Sequence, residues 1–309
     1  MPRASAELQN EFSWSKSRHE KLEDCPRAYY YHYYGSWGGW EAAAGTPTRE
    51  LYVLKKLSSR WQWAGSVVHE ALRHMLNRAR MAGDRKGLEE LVAQTRQRSR
   101  AIWSSSRDKS YWREATRIVG LLEHEYGEPV PAEEWKRVWD EVIEGSIRAF
   151  YRSETFDRIR AVPAADWLTV DELDSWAFEG TKVWVAIDFA YRDERGRIHV
   201  LDWKTGRERG VDHTQVAIYA LYARQKWGVP PEAVQGSLVY LCGGEERVDV
   251  DVDPTSLARS EGKMRESIAG MKALLDDPQR NQASMARFAP IEDRGACRRC
   301  PFRRPCGRM

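Results

Sequence analysis

The sequence contains no apolar run of about 18 residues or more, and its mean hydropathy is −0.68, so it predicts no membrane-spanning helix. Its first fifteen residues lack the basic-then-apolar order of a secretory signal, which points to a soluble, cytoplasmic protein. There is no internal repeat and no low-complexity linker. No GxxxxGK(S/T) motif occurs either, so nothing in this sequence supplies a P-loop motor. Neither sign of charge dominates. Against 46 acidic residues stand 49 basic ones, and a net charge of +3 can hide a basic groove beside an acidic metal site, so composition neither demands nor excludes a nucleic-acid partner. Cysteine is scarce at five residues, and position says more than number. Cys25 stands alone, Cys242 ends an apolar strand-like run, and Cys297, Cys300 and Cys306 crowd the end, a distribution more typical of a metal site than of a disulfide framework.

What is present suffices for a substantial core: 309 residues, 42% of them hydrophobic, can form one large core or two modest domains. Fourteen Trp and thirteen Tyr exceed what such a core usually holds, leaving some as candidate stacking surfaces for unpaired bases.

The first half reads as helical. Residues 15–34 predict a helix opened by Ser17 with Glu20 as a capping box, broken by the glycine-rich stretch 35–45. Residues 63–80 carry Val68, Leu72, Met75, Leu76 and Ala79 at helical spacing, and charged helical sequence continues to about Tyr151. From Trp167 the period changes. Residues 167–170, 175–178, 182–191 and 197–203 predict strands, the last two joined by a hairpin turn at 193–196. A helix at 213–227, a strand at 237–242, a Gly243-Gly244 turn, a strand at 247–252 and a helix near 254–275 follow. The expectation is an α/β sheet core with a helical N-terminal elaboration, divided as a helical part at 1–165, a core at 166–280 and a cysteine-rich tail at 281–309 that packs against the Cys25 region.

The chemistry concentrates in Ile187-Asp188 and Asp202-Trp203-Lys204-Thr205-Gly206. Two antiparallel strands joined by a short hairpin bring Asp188 and Asp202 together, and Lys204 points to the same face as Asp202. Carboxylates that close need a shared proton or a divalent cation, and hard cations such as Mg2+ or Mn2+ prefer carboxylate oxygens. An acid-x-Lys on a strand is otherwise a solvated surface ion pair, but the residues between these are bulky and apolar. His69 lies on the second predicted helix one turn after Gly65, which leaves room for a close approach. Gln215 and Tyr219 project from one side of the helix that follows. Cys25-Pro26-Arg27 runs into the aromatic stretch 29–34, a mix of rings and basic groups suited to backbone contact and base stacking.

In this order along nearly the whole chain, the segments resemble the RecB-like nucleases of the PD-(D/E)XK superfamily, with residues 80–165 covered least. Ile187 stands where the superfamily name has proline, as is common in this branch. The resemblance implies a restriction-endonuclease-like mixed central sheet flanked by helices. It implies that His69, Asp188, Asp202 and the carbonyl of Trp203 bind the metal, that Lys204 orients or activates the attacking water, and that Gln215 and Tyr219 position the scissile strand. Cys25, Cys297, Cys300 and Cys306 resemble the four-cysteine set of the iron-sulfur members, such as the AddB nuclease domain and the CRISPR-associated adaptation exonucleases. Four thiolates suit a 4Fe-4S cluster, and equally structural Zn2+. Arg27, Tyr29, Tyr33, Arg298 and Arg303 are the candidate DNA contacts. The expected activity is hydrolysis of DNA at single-stranded ends or flaps, exonucleolytic, in DNA repair and recombination, CRISPR adaptation or phage defence, with a helicase- or integrase-type partner. An alternative is a cluster-bearing nucleic-acid-binding adaptor with a silent site, and a third keeps the fold but cleaves RNA.

Overall fold

A computed structural model describes residues 9–82, 87–206 and 213–309. Its strands are β1 (Ser13–Trp14), β2 (Trp167–Phe178), β3 (Thr181–Arg192), β4 (Ile198–Lys204), β5 (Val234–Tyr240) and β6 (Glu246–Asp251). They are ordered β1-β3-β4-β5-β6, with β2 also on β3. The β3–β4 and β5–β6 pairs are antiparallel and β4–β5 is parallel, so the sheet is mixed and flanked by helices, as the sequence led one to expect. Among the described residues no helix is long and apolar enough to cross a membrane.

The described residues pack as two compact units, one within 1–55, 177–184 and 263–309, the other within 56–176 and 185–262. A linear division at 165 and 280 does not follow these boundaries, because each unit is assembled from separated segments.

In the second unit the helix Arg60–Ala82 starts three residues earlier than its apolar periodicity suggested. The reason is a capping box: the Gln62 side chain accepts from the Ser59 N–H (3.1 Å) while Ser59 Oγ accepts from the Gln62 N–H (3.3 Å). Two stripes of this helix are buried. Val68, Leu72 and Leu76, at i, i+4 and i+8, pack with Phe189, Leu201 and Trp203, while Trp63, Ala64, Val67 and Ala71 pack with Val138, Val142, Ile143 and Ile147. The Trp203 ring meets Phe150 edge-on at 4.8 Å, which anchors β4 by the residue between Asp202 and Lys204. Residues 167–170 and 175–178 are not two strands but one, β2, which absorbs a left-handed residue at Asp171 (φ 47°). The β3–β4 hairpin turns as expected. Asp193 Oδ1 accepts from the Arg195 and Arg197 N–H groups (3.0 and 2.8 Å), and Gly196 takes φ 79°. The helix His213–Trp227 lies directly on β5 because Gly236 offers no side chain: a Cβ there would sit 2.2 Å from Val216 Cγ1.

In the first unit, β1 runs parallel to Lys182 and Val183 of β3. The helix expected over 15–34 is interrupted. Ser15, not Ser17, caps Lys16–Asp24, with its Oγ accepting from the Arg18 N–H at 3.1 Å. Cys25 is then extended because it precedes proline, and the chain re-enters helix at Pro26–Tyr30 before a π-helical turn at Tyr31–Gly35. The C-terminal segment packs on this turn. Phe288 is fully buried against Tyr29, Arg27 Nε donates to its carbonyl at 2.7 Å, and Phe302 lies 5.6 Å from the Tyr31 ring.

Candidate active site

The ladder between β3 and β4 stops at Phe189↔Leu201. One step further along each strand stand Asp188 and Asp202, on the face opposite Phe189, Leu201 and Trp203, whose rings and methyls fill the core. Where the ladder stops, a side chain takes over: Asp188 Oδ2 accepts the Trp203 N–H at 2.7 Å. Asp188 Oδ1 is 2.9 Å from His69 Nδ1, so the helix Arg60–Ala82 closes one side of the site. The helix His213–Trp227 closes the other. Tyr219 donates its hydroxyl proton to Asp202 Oδ1 (2.9 Å) and accepts from Gln215 Nε2 (2.6 Å), and the same Gln215 nitrogen also donates to Asp202 Oδ1 at 2.8 Å. Lys204 Nζ donates to Gln215 Oε1 at 3.1 Å and lies 2.5 Å from Asp202 Oδ2. Gly65 makes this closure close: a Cβ on it would approach Thr205 Oγ1, next to Lys204, to 3.1 Å.

Both acids are buried, and burial of a charge is costly unless it is met. Burial pushes the Asp188 carboxyl up, against the pull of His69 and of the Trp203 N–H, with the nearby Asp202 adding to the rise. Burial opposes the charged form of His69, but the hydrogen bond to Asp188 and the charges of Asp188, Asp202 and Asp171 outweigh it, so the imidazole pKa rises. The pair can therefore hold a proton between Nδ1 and Oδ1. The Tyr219 phenol is pushed well above its ordinary value by burial and by both carboxylates, which keeps it a donor.

A hard cation suits this donor set, two buried carboxylates with an imidazole beside them. Asp202 Oδ2 is buried and faces the Lys204 ammonium at 2.5 Å, so this carboxylate oxygen already sits against a positive charge, as a metal ligand would. In the arrangement described, however, the acids are turned onto internal partners. Among the described residues no three His, Cys, Asp or Glu side chains are set out as a metal-holding group.

Sequence reasoning missed two residues here. Asp171, in β2 with its left-handed backbone, feels the charges of Asp188 and His69, and burial raises its pKa. Its Oδ2 lies 3.3 Å from Arg73 Nε. Arg73 was legible as the residue one turn after His69, on the stripe of Trp61, Gly65, His69 and Arg73. Asp171 was not, because an acid in a strand carries no signal of which distant helix it faces.

Residues 13–307 match the family model of the PD-(D/E)XK nuclease superfamily. The chain belongs to that superfamily. It is thus a nuclease by family, of a class that typically uses divalent metals such as Mg2+ or Mn2+. No curated protein matches it in sequence. Among solved structures, a provisionally named exonuclease from Eubacterium rectale is 15% identical, with a TM-score of 0.30 over 60% of this chain and 70% of that one. The protein SSO0001 is 17% identical, with a TM-score of 0.29 over 61% of this chain and 93% of that one.

The candidate DNA contacts of the first unit fall out unevenly. Tyr29 is fully buried, its hydroxyl accepting from Arg18 Nε at 3.0 Å, so it is a core residue and no stacking platform. Arg303 is likewise buried, its guanidinium turned to the Arg298 carbonyl, which does not suit it as a DNA contact. Tyr33 lies half-buried under the Arg18 guanidinium at 4.3 Å, Arg27 is held by the Phe288 carbonyl, and Arg298 is exposed. Cys25, Cys297, Cys300 and Cys306 are free thiols near enough for charge on Cys25 and Cys297 to act on Cys300 and Cys306. Burial pushes the Cys300 thiol up to about 11. Cys242 is partly buried against the helical core of the second unit.

Proposed function

We propose that this chain is a divalent-metal-dependent deoxyribonuclease that digests single-stranded ends or flaps as an exonuclease, in DNA repair, adaptation or phage defence. The observation that carries this reading is the convergence of His69, Asp188, Asp202, Lys204, Gln215 and Tyr219 on one buried patch in a member of a nuclease superfamily. Asp188, Asp202, His69 and the Trp203 carbonyl would hold Mg2+ or Mn2+, which when bound supplies an acidified water and relief of charge at phosphorus. The rest falls to the chain. The Lys204 ammonium, held by Asp202 and Gln215, puts a fixed positive charge where the phosphate oxygens gain negative charge, and orients the attacking water. Gln215 and Tyr219 fix Asp202 in one rotamer and present the scissile strand to it. A duplex would be opened by a separate helicase-type partner, and an integrase-type partner would take up processed ends.

The test is digestion of end-labelled single-stranded DNA with Mn2+, comparing wild type with Lys204→Ala and Asp202→Asn. Each should lose on the order of 100-fold or more in rate. Equal digestion by Lys204→Ala would sink the assignment, and covalently closed circular single strands as a second substrate separate exonucleolytic from endonucleolytic cutting.

The four thiols Cys25, Cys297, Cys300 and Cys306 would, on this reading, hold a 4Fe-4S cluster, with structural Zn2+ as the other occupant of a four-thiolate set. What supports it is that charge on Cys25 and Cys297 acts on both Cys300 and Cys306 within one unit, although among the described residues no three of these side chains are set out as a metal-holding group. Iron and zinc analysis with an absorption spectrum of anaerobically purified protein decides between them, and the absence of both metals refutes this part alone.

A further inference from the structure

Part of the aromatic stretch 29–34 lines a cavity of the first unit. Tyr30 and Tyr34, four residues apart, stack at 6.2 Å with planes 20° apart, and with Phe12 and Trp37 they line a cavity of about 870 Å³ in the first unit. Trp37 is 37% exposed, an unusual position for so large a ring. Its neighbour Trp40 meets it edge-on at 4.9 Å, a contact that occupies at most one ring face. The rest of the wall is rich in amides: Gln9, Asn10, Gln279, Asn281 and Gln282. Asn281 and Asn10 are spent on structure, Asn281 joining the Tyr34 hydroxyl to the Asn10 carbonyl and Asn10 Nδ2 reaching the Tyr33 carbonyl. Gln9, Gln279 and Gln282 make no side-chain hydrogen bond among the described residues, so each keeps a donor pair and an acceptor for a ligand.

Charge narrows the ligand further. Glu11 and Asp276 lie on the wall and would repel a phosphate drawn inside. Arg280, its side chain 77% exposed and its acidic partner Asp277 3.7 Å away, can take one at the wall's edge. Ring faces, free amides and an outlying guanidinium together match a base with its phosphate left outside, and the cavity is of a size typical for small-ligand sites.

We propose that this cavity binds an unpaired nucleobase of a single-stranded nucleic acid, stacked on Trp37 and the Tyr30–Tyr34 rings and read by the free glutamines. The inference rests on the nuclease reading only for the presence of a nucleic-acid strand. Its test is binding by the full chain in chelator, where no strand is cut. Labelled oligo(dT) and an oligonucleotide of equal length made of abasic residues are titrated with wild type, Trp37→Ala and the bulk-retaining Trp37→Leu. Both variants should bind oligo(dT) about 5- to 150-fold more weakly, the range that base–aromatic stacking supplies. The abasic strand should bind weakly and alike to all three. Wild-type affinity in either variant, an equal loss on the abasic strand, or no binding of oligo(dT) by wild type overturns the proposal. Should Trp37→Ala fail to fold, by its circular dichroism melt, Trp37→Leu and the surface change Gln282→Ala carry the test. Gln282→Ala should then change the ratio of oligo(dT) to oligo(dC) affinity. Because cleavage is absent throughout, a protein inactive in the Mn2+ assay can still show this site, and an active one can lack it.

Discussion

Replacing Gly236 by alanine should break the seating of the helix that carries Gln215 and Tyr219. The new Cβ would stand 2.2 Å from Val216 Cγ1, 2.9 Å from Cγ2 and 3.1 Å from Cβ. Relief to an ordinary contact of 3.4 Å needs a shift of about 1.2 Å, and since Val216 is stiff at χ1, the helix backbone must move with it. Overpacking of this kind costs about 1–3 kcal/mol, offset by roughly 0.5 kcal/mol gained from alanine over glycine in a strand. Val216→Ala alone should cost about 1–2 kcal/mol through lost burial. The double variant should be more stable than the sum of the two losses implies, with a coupling of about 1 kcal/mol or more, because each change removes what the other needs. Urea unfolding of all four proteins measures this. Activity adds an independent reading: Gln215 and Val216 are adjacent, so a shift near 1 Å displaces the Asp202 contacts and should lower the cleavage rate about 100-fold in Gly236→Ala, with recovery in the double variant. Strict additivity of stability, with no rescue of cleavage, would refute the packing argument.

Further outcomes follow from single contacts. Tyr219→Phe removes the hydroxyl proton from buried Asp202 and should destabilise by about 1–3 kcal/mol, read by thermal unfolding, with a lower cleavage rate. Asp171→Asn keeps a residue tolerant of the left-handed region and should change stability little, whereas Asp171→Val should cost about 1–2 kcal/mol; both should lose the Arg73 ion pair and cleave more slowly. Asp193 gives a pH signature. Burial pushes its carboxyl up, but the hydrogen bond from His199 and the Arg197 and Arg195 N–H groups outweigh this and hold its pKa below the ordinary value. Stability from this turn is therefore complete above the unfolded carboxylate's pKa of about 3.9 and is lost as pH falls through the lower folded value. Acid unfolding of Asp193→Asn should thus lack that part of the wild-type decline below about pH 4.

Local pattern was enough to read much of this protein. The alternation in residues 182–191 and 197–203, with apolar Phe189, Leu201 and Trp203 filling one face, sends Asp188 and Asp202 to the other, since side chains on a strand can only alternate. Helical spacing did the same for Gln215 with Tyr219 and for Val68, Leu72 and Leu76. The caps were misplaced at Ser17 because Ser15 and Ser17 offer the same chemistry two residues apart, and only the extended backbone at Ser15 decides between them.

Tertiary structure alone decided the rest. It brings Asp171 to His69 and Arg73, and it makes Gly236 indispensable to one helix. It also buries Tyr29 beneath Phe288 while leaving Tyr30 and Tyr34 to line a cavity. In a run of tyrosines broken only by His32 every ring has equal claim to the surface. Which rings are covered depends on where the C-terminal segment lands, and no spacing within the run encodes a contact made some 260 residues away.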